Sequence, residues 1–547
     1  MLFFFVNSLI IIIRSNILLR SRQFQNMVPK PFSESREEPL APAVIVVTPY
    51  STGCCIAKEI QDRDFKLICL WTSWFCDTMK AHCPKSADGL HWDLVLDEQE
   101  TIEATANLVL QQAAAHGLDV VSLVCGGEAG VDLADALSEY MGFLSNGTDI
   151  PNRRDKKVQQ DLVKAKGMRS IREVCGSSWT KEVEDFLLNE TYPVIIKPLD
   201  SAGSDGVMKC ETFEAAKTHF LYLLNEHIMV NSEGACEDVL CQEFLRGTEY
   251  VVDHVSRNGV HKTVMVWRYD KRPVNGASFV YFGDVPVDVE SEEAKMLIPY
   301  ARGVLDALGV AHGPSHGEFI ITEDGPCLVE MNCRAHGGDG IWQKLCRGLT
   351  GGYNQVDATV DAYLDPEKFD LLPDKPPSPF KTNGQCVDLV SYKGGIVKAT
   401  PGYNVIRLLP SFVTMETHVA PGVKVKPTVD LASDAGTLIV MNDDKEALAQ
   451  DIALIRQMES TGVLFQTEEE EQKTQAAIES GPFKLLSGST RSSSMSFCPS
   501  LGRKFTLLDA SSRADSLKFN PSMSKAARHR RLMSSESPHM FMASKHI

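Results

Sequence analysis

The sequence predicts a mixed fold of the α/β and α+β classes, and three observations lead to this prediction. Apolar, β-rich runs alternate with helical stretches over residues 43–150, which indicates an open, mostly parallel sheet with helices on its faces. Over residues 192–332, β-rich runs follow one another with turn residues between them, as in antiparallel hairpins. The length of 547 residues is enough for roughly three or four compact units.

The elements of the α/β region follow from its apolar runs and from the helical spacing of Ala and Leu. We expect strands at 44–47, 65–71, 92–97 and 118–125, and helices from the turn at 49–53 to about residue 61, at 101–116 and at 131–142. The turns PYSTG (49–53) and GGEAG (126–130) lack the GxGxxG spacing of a dinucleotide site. We therefore interpret their glycines as permitting tight turns from strand into helix.

The region after residue 150 combines helices with hairpins. NRRDKKVQQDLVKAKG (152–167) predicts one amphipathic helix that ends at Gly167, and further helices are expected at about 212–227 and 291–308. The β-rich runs around them are YPVIIKP, VLCQEFL, TEYVVDHV, KTVMVWRY, HGEFIIT and CLVEMN. A Pro-rich linker at 371–380 leads to a last β-rich piece, which closes with a helix around 444–459.

These boundaries divide the chain into five segments. They are an apolar N-terminal segment with a linker (1–42), an α/β domain (43–150), an α+β domain (151–370), a C-terminal β-rich subdomain (371–470) and a Ser-rich basic tail (481–547). The tail has few large apolar residues and no periodicity, so we expect it to be disordered.

Charge and cysteine content exclude some classes of function. The net charge is −17, but residues 484–547 hold 11 Lys and Arg against 3 Asp and Glu, so this tail is +8 and the remainder is −25. An acidic body argues against a nucleic-acid partner. The 15 cysteines form no repeated CxxC pair, which favours free thiols in a reducing compartment. A metal site built from Cys76, His82, Cys83 and His91 is an alternative, although their spacing fits no familiar zinc pattern.

The N-terminal segment leaves the cellular location open to more than one interpretation. Residues 2–13 are almost entirely apolar, and arginines follow before the first acid. A dozen apolar residues are fewer than the ~20 that span a bilayer. We expect a cytoplasmic protein. A membrane anchor, an organellar presequence within residues 1–26, or translation from Met27 are the alternatives.

A first motif, YPVIIKPLDSAGSDGV (192–207), ends a strand at Lys197 and continues into a loop with small residues at Ser201, Gly203, Ser204 and Gly206. Small residues let backbone N–H groups converge on an anion, and the lysine adds positive charge. The loop lacks the GK[ST] ending of a Walker A motif. Phosphate binding and an ordinary flexible hairpin loop are therefore both open.

A second motif, HGEFIITEDGPCLVEMNCR (316–334), predicts a hairpin with EDGP at its turn. If the loop has three residues with Gly325 in the left-handed position, Glu318 lies across from Glu330, and Asn332 shares the face of Glu330. Opposed carboxylates repel unless a cation bridges them, and two carboxylates with an amide oxygen suit Mg²⁺. A solvated polar face would not explain acids that alternate with large apolar residues.

Two further residues fit the same kind of site. Arg334 lies four residues after Glu330, so in an extended strand it has the same parity and faces the same side. A guanidinium there could stabilise a transferring phosphoryl group or an oxyanion, or form a salt bridge with one of the acids. A third motif, VLCQEFLRGTEYVV (239–252), has a strand end whose backbone could contact adenine, with Glu249 placed for ribose hydroxyls. By itself this third motif is an ordinary hairpin.

Together the KPxxSAGSDGV loop, the QEFLxGTEY hinge and the E…ExNxR hairpin resemble the ATP-grasp superfamily. Over roughly residues 43–470, the chain is most similar to L-amino-acid ligases that form dipeptides, with carnosine-synthase-like enzymes as relatives. The resemblance implies a pre-ATP-grasp domain at 43–150, followed by an ATP-grasp fold of two α+β subdomains.

The resemblance also implies roles for individual residues. The nucleotide site would comprise Lys156 and Lys197 at the phosphates, the loop Ser201–Gly206 over them, backbone groups of Glu243 and Leu245 at adenine, and Glu249 at the ribose. The catalytic site would comprise Glu318, Glu330 and Asn332 as ligands of two Mg²⁺ ions (with Mn²⁺ as an alternative), Arg334 at the acyl phosphate and tetrahedral states, and His336, Gly337 and Gly338 in the substrate pocket. Two departures stand out: Gln242 replaces an acid found in many relatives, and the adjacent Lys156 and Lys157 leave open which one points inward.

The activity that the resemblance implies is an ATP-dependent carboxylate–amine ligase. The γ-phosphoryl group of ATP would pass to a carboxylate, and an amine would attack the acyl phosphate, so that an amide and phosphate form. The substrates would be small acids and amines, with amino acids expected, and the enzyme would be a homodimer. A carboxylase, a phosphotransferase and a catalytically silent nucleotide-binding regulator are the alternatives.

The tail carries a separate hypothesis. Ser534 follows the basic pair Arg530 and Arg531, three residues after Arg531, and basophilic kinases could use this pattern. An inert extension is the alternative.

Overall fold

The computed structural model describes residues 39–150, 153–199, 206–225 and 236–468. By the contacts within it, the chain divides into Met1–Ala41 and Pro42–Ile547, and apart from Ala41, the first residue of β1, the elements discussed below belong to the second unit. The predicted loop residues Ser201, Gly203 and Ser204 and the basic tail lie outside the described residues. None of the helices in the described part of the chain has the length and apolar character needed to cross a membrane.

The first part of the chain is a four-stranded sheet in the order β3-β2-β1-β4. Its pairs β1–β2 and β2–β3 are parallel, and this confirms the predicted open α/β arrangement. The strands are β1 (Ala41–Val47), β2 (Lys66–Trp71), β3 (Leu94–Asp97) and β4 (Leu118–Cys125), and the helices are α1 (Thr52–Asp62), α2 (Asp77–Lys80), α3 (Ile102–Ala115) and α4 (Val131–Met141).

The two glycine-containing turns of this sheet pack directly on each other. A Cβ atom on Gly126 would lie 2.7 Å from Cα of Pro49, and one on Gly53 would lie 2.1 Å from the carbonyl oxygen of Gly126. Distances under 3 Å are not tolerated between such atoms, so side chains at these positions would push the two turns apart. The structure therefore supports tight packing as the reason for these glycines.

A small antiparallel sheet follows, in the order β5-β8-β6-β7. Its apolar face packs on two helices through buried Val183, Leu187, Phe220 and Leu223. The elements up to this point are α5 (Lys156–Ala165), β5 (Glu173–Gly176), α6 (Lys181–Asn189), β6 (Val194–Pro198), β7 (Met208–Cys210), α7 (Phe213–Asn225) and β8 (Val239–Glu243).

The helix predicted across 152–167 is shorter than expected, because it begins only at Lys156. The side chain of Asp155 accepts hydrogen bonds from the N–H groups of Lys157 and Val158, so this aspartate caps the helix. The predicted end is correct: Gly167 follows the last turn with a φ of +73°.

The large sheet has eight strands in the order β13-β12-β9-β10-β11-β14-β18-β16. Its elements are β9 (Thr248–Arg257), β10 (Val260–Val274), β11 (Ala277–Pro286), α8 (Glu292–Ala307), β12 (Gly313–Thr322), β13 (Gly325–Asn332), α9 (Gln343–Thr350), α10 (Gln355–Leu364), α11 (Pro366–Leu371) and β14 (Asn383–Asp388). The remaining elements are β15 (Gly395–Ala399), α12 (Pro401–Ile406), β16 (Phe412–Glu416), β17 (Lys424–Val425), β18 (Thr437–Asn442), α13 (Lys445–Ser460) and β19 (Gln466–Thr467).

The large sheet continues across the predicted Pro-rich linker. Strand β14 follows the linker and pairs with β11, which precedes it. The five segment boundaries stay predictions, but the hydrogen bonds of this sheet join the regions on both sides of residues 371–380.

The hairpin β12–β13 places the two predicted acids opposite each other, by a route that differs from the prediction. We expected a three-residue loop, but Thr322 pairs with Gly325, so the loop has only two residues. A register shift after Glu318 leaves Val329 unpaired, and this bulge restores the expected pairing of Glu318 with Glu330. Gly325 has a φ of +98°, the left-handed conformation that was predicted for it.

Candidate active site

A cleft lies between the small sheet and the β12–β13 end of the large sheet. Its empty space is about 910 Å³, counting the part that is open to solvent. It is lined by Lys156, Ile171, Ile195, Lys197, Val207, Gln242, Glu243, Phe244, Leu245, Glu249, Lys271, Phe279, Tyr281, Glu318, Ile320, Val329 and Glu330. Seven of the predicted site residues are in this lining, so the structure brings three separate sequence motifs together around one cavity.

The positive charge of the cleft comes from Lys156 and Lys197. Nζ of Lys156 lies 3.1 Å from Oε2 of Glu330, whereas Lys157 bonds to Asp161 one turn further along its own helix. Lys156 is therefore the lysine that points inward. Lys197 is buried. Burial, together with the charge of Lys156, lowers the pKa of Lys197 to about 8.

The negative charge of the cleft comes from three glutamates on neighbouring strands. Glu318 and Glu330 face each other across the hairpin, and Glu249 lies on the adjacent strand β9. Nζ of Lys271 is 2.7 Å from Oε1 of Glu249 and also lies over the ring of Tyr281. Burial raises the pKa of Glu249, even though Lys271 opposes this effect.

The donor atoms at the hairpin fit a divalent cation. The amide nitrogen of Asn332 donates to Oε1 of Glu330 at 3.3 Å, so the amide and the two carboxylates share one face. Carboxylate and amide oxygens are hard ligands of the kind that Mg²⁺ prefers. Two acids held in register on a largely buried strand pair would otherwise destabilise the hairpin, and this observation favours a cation site.

The opposite end of the cleft is apolar. Leu245 packs with Ile171 and Cys327, and Ile320 and Val329 pack against this group. The side chain of Glu243 points away to Arg169 and Arg172, and its N–H donates to the carbonyl oxygen of Arg172. Its carbonyl group is thus the only backbone group of Glu243 that could contact a base in the cleft.

Arg334 is placed beyond the hairpin end, in a buried position with 2% of its surface exposed. Its Nη1 donates to the carbonyl oxygen of Ala335 at 3.0 Å, and its Nε lies 3.4 Å from Oε2 of Glu128. Within the part of the chain that the structure describes, Nη2 of Arg334 and Oε2 of Glu128 make no hydrogen bond. Buried polar atoms without partners are rare in folded proteins and indicate a site for a ligand or water.

Glu128 is a residue that the sequence interpretation missed. It lies in the GGEAG turn after β4, where only the glycines had been considered. Its Oε1 lies 3.1 Å from Nε of Arg154, so its carboxylate stands between two arginines. An acid directly after the carboxyl end of a strand was the available signal, because ligands often bind at that edge of an α/β sheet.

The predicted substrate residues lie next to the first domain, and none of them lines the cleft. The carbonyl oxygen of Gly337 accepts hydrogen bonds from Thr52 at 3.2 Å and from the Trp342 indole at 2.6 Å. Gly338 has a φ of +71°. His336 is buried, and its Nδ1 lies 2.9 Å from Oδ2 of Asp253. The loop is thus held between α1 and the large sheet.

Two other predictions can be compared with the structure. Gly206 ends the loop with a φ of +69°, and a Cβ there would lie 2.8 Å from Cγ of Pro198, so a glycine is needed. Among the described residues, the alternative zinc site is not assembled, because Nε2 of His82 bonds to Asp339 at 2.9 Å instead. The cysteines in this part of the chain are free thiols.

Comparison with known proteins agrees with this geometry. Residues 190–343 match the family described as ATP-grasp domain. The chain is 30% identical over 354 residues to dapdiamide A synthase of Enterobacter agglomerans, an alignment that covers 62% of this chain and 80% of that protein. The chain belongs to the ATP-grasp family.

Other relatives support the same assignment. A D-alanine–D-alanine ligase of Halalkalibacterium halodurans is 25% identical over 236 residues, which are 39% of this chain and 71% of that enzyme. Among solved structures, an L-amino acid ligase from Bacillus licheniformis superposes with a TM-score of 0.59 and 14% identity, covering 77% of this chain and 98% of that one. The predicted fold and the predicted reaction class, an ATP-dependent ligase that forms an amide, are confirmed.

Proposed function

We propose that the cleft binds ATP together with Mg²⁺ and that the enzyme joins the carboxylate of one amino acid to the amine of another. The observation that carries the proposal is the composition of one cavity: two lysines at one side, two opposed glutamates beside them, and an apolar end. A triphosphate needs cations, its metal needs oxygen ligands, and a purine ring needs an apolar slot.

The nucleotide would lie along the cleft with its base among Ile171, Leu245 and Ile320. The carbonyl of Glu243 and the backbone of Leu245 would contact adenine, and Glu249 would accept from the ribose hydroxyls. Lys156 and Lys197 would contact the phosphates, and the Ser201–Gly206 loop would cover them. These roles combine the predicted assignments with the lining of the cavity.

Glu318, Glu330 and Asn332 would hold the metal, with two ions as the expected number and Mn²⁺ as a substitute. Bound Mg²⁺ would neutralise charge on the phosphates. In the absence of nucleotide, Lys156 partly compensates the opposed acids through its contact with Glu330. On binding, the same lysine could turn towards a phosphate oxygen, because a cation at the acids would replace its charge.

The reaction would proceed in two steps. A carboxylate oxygen of the first substrate attacks the γ-phosphorus, and the bond to the β–γ bridging oxygen breaks, which yields an acyl phosphate and ADP. The amine of the second substrate then attacks the acyl carbon and loses a proton, the C–O bond to phosphate breaks, and an amide and inorganic phosphate form. Arg334 would stabilise the developing negative charge in both steps through Nη2, which has no hydrogen-bond partner among the described residues.

The buried pair of Arg334 and Glu128 supports an amino acid as the first substrate. Arg334 would hold its carboxylate end, and Glu128, whose Oε2 has no hydrogen-bond partner among the described residues, would accept from its ammonium group. An α-amino acid carries both charges on adjacent carbons. A simple carboxylic acid would leave Oε2 of Glu128 without a hydrogen bond, and a buried acceptor without a hydrogen bond costs about 1–3 kcal/mol.

The test is phosphate release by the purified full-length chain with ATP, Mg²⁺ and pairs of amino acids, followed by mass spectrometry of the products. We expect phosphate release that depends on an amino acid, and a product whose mass is the sum of the two amino acids less one water. ATP hydrolysis without any amide product, or activity with acids that lack an amino group, would contradict the proposal. Glu330→Gln should abolish ADP formation, whereas Lys157→Ala, one residue from Lys156 but outside the cleft, should not.

Two further predictions concern the whole protein. We propose a homodimer, which sedimentation of the purified chain would test. A kinase acting at Ser534 would be tested by phosphopeptide mapping, and by removing residues 481–547 and comparing activity and location.

A further inference from the structure

A network of buried polar side chains lies behind the cleft, centred on Asp253 of β9. This carboxylate is 2% exposed. Nδ1 of His316 lies 2.9 Å from its Oδ1, and Nδ1 of His336 lies 2.9 Å from its Oδ2. The indole N–H of Trp267 donates to the same Oδ2 at 2.7 Å. A buried carboxylate is costly unless it is paired and hydrogen-bonded, so these three donors keep Asp253 in place.

The network reaches the proposed metal ligands through His316. If Nδ1 of His316 donates to Asp253, its other nitrogen, Nε2, is directed to the cleft side. Nε2 lies 3.4 Å from Oε1 of Glu318 and 3.2 Å from the hydroxyl of Tyr269. His316 therefore stands between Asp253 and one oxygen of a proposed metal ligand.

The network also reaches the substrate loop through His336. Its ring packs edge-on to Trp267 and lies 4.5 Å from the ring of His316, centre to centre. The backbone N–H of His336 donates to Oε1 of Gln355 at 2.7 Å, which also holds this part of the loop in place. Two residues of the loop, His336 and Gly337, are thus tied to the large sheet on one side and to α1 on the other.

We propose that Asp253 is a positioning residue that orients both halves of the active site: it sets Glu318 through His316, and it sets the 336–338 loop through His336. The inference rests on the proposed function, because it assigns Glu318 to the metal and the loop to the substrates. Asp253 would contact neither the metal nor the substrates. Its proposed role explains why a buried acid is placed between two histidines from different elements.

A metal ion bound directly by Asp253, His316 and His336 is the competing explanation. Their ligand atoms lie within 4.8 Å of one another, and within the described residues they are the one group of three or more His, Cys, Asp or Glu side chains close enough to share an ion. The hydrogen bonds to both Nδ1 atoms favour positioning, because a metal would need those atoms deprotonated.

The test compares Asp253→Asn with His316→Gln and His336→Gln. We expect His316→Gln to raise the Mg²⁺ concentration for half-maximal activity about 10- to 100-fold, as is usual when a partner of a metal ligand is lost, with little change in KM for the amino acids. His336→Gln should raise that KM and leave the Mg²⁺ requirement unchanged. Asp253→Asn should do both, because its NH₂ group can no longer accept from one histidine, and loss of the negative charge weakens the hydrogen bond from the other.

His254→Asn is the matched control. His254 follows Asp253 on the same strand, is completely buried, and points to the opposite face because side chains alternate along a strand. It should lower the melting temperature without moving either the Mg²⁺ requirement or KM. If Asp253→Asn behaves like this control, the inference is overturned. If Asp253→Asn does not fold, the two histidine variants test the inference. It is overturned if His316→Gln and His336→Gln do not differ in their effects on the Mg²⁺ requirement and on KM for the amino acids.

Two measurements separate the inference from its alternatives. If wild-type protein releases no phosphate with amino acids, the proposed function fails, and titration of Mg²⁺ in ADP binding still shows whether His316→Gln and Asp253→Asn weaken the metal site. Elemental analysis of the purified wild-type protein should find no stoichiometric transition metal. A metal that is present in the wild type and lost in His336→Gln would overturn the positioning role.

Discussion

Replacing Lys156 should destabilise the enzyme more without magnesium than with it. Lys156→Met removes the cation that lies 3.1 Å from Glu330, where the two side chains are 12% and 18% exposed. Without Mg²⁺, Glu330 would then face Glu318 with no compensating charge from Lys156. An ion pair at this partial exposure contributes about 1 kcal/mol, so the variant should be less stable than the wild type by about this amount.

Magnesium should cancel most of that loss, since a divalent ion at Glu318 and Glu330 supplies the missing charge. Thermal unfolding of wild type and variant, with EDTA and with saturating MgCl₂, would measure the difference. Catalysis should not recover, because the proposed phosphate contact of Lys156 is also lost. A charge-assisted hydrogen bond is worth about 1.5–3 kcal/mol, which corresponds to about a 10- to 150-fold decrease in kcat/KM for ATP.

Lys157→Met is the matched control, because Lys157 bonds to Asp161 on the surface of the same helix. It should change kcat/KM for ATP by less than about threefold, and its stability relative to the wild type should not depend on magnesium. Equal losses in the two variants would refute the assignment of the inward-facing lysine. Destabilisation of Lys156→Met that persists in MgCl₂ would refute a cation site at the opposed acids.

Three more predictions follow from the cleft and from the pair of Arg334 and Glu128 beyond the hairpin end. Since the pKa of Lys197 is lowered to about 8, the affinity for ATP should fall as pH rises from 7 to 9 and the lysine loses its proton, and Lys197→Arg should remove this dependence in a fluorescence titration. Arg334→Lys should decrease kcat about 100- to 1,000-fold while calorimetry finds ADP binding unchanged. Glu128→Gln should raise KM for the first amino acid about tenfold or more without raising KM for ATP, and a larger effect on ATP than on the amino acid would contradict its role.

Part of the site could be predicted because its residues are close in sequence. The opposed acids lie in one hairpin, so strand alternation and a glycine-containing turn were enough to place Glu318 against Glu330. The predicted loop was one residue too long, and the pairing was correct only because a bulge at Val329 compensated. Turn length and bulges depend on packing against the rest of the sheet, which local sequence does not specify.

The sequence by itself determined the order of elements, the three motifs and the charge types at the proposed nucleotide site, because each depends on neighbours within a strand, turn or helix. Only the tertiary structure decided which of two adjacent lysines enters the cleft, since that depends on where the helix lies against β13. It also decided that Glu128 meets Arg334 and that Asp253 joins His316 to His336. These groups come from separate elements, and long-range contacts become fixed only when sheets and helices pack together.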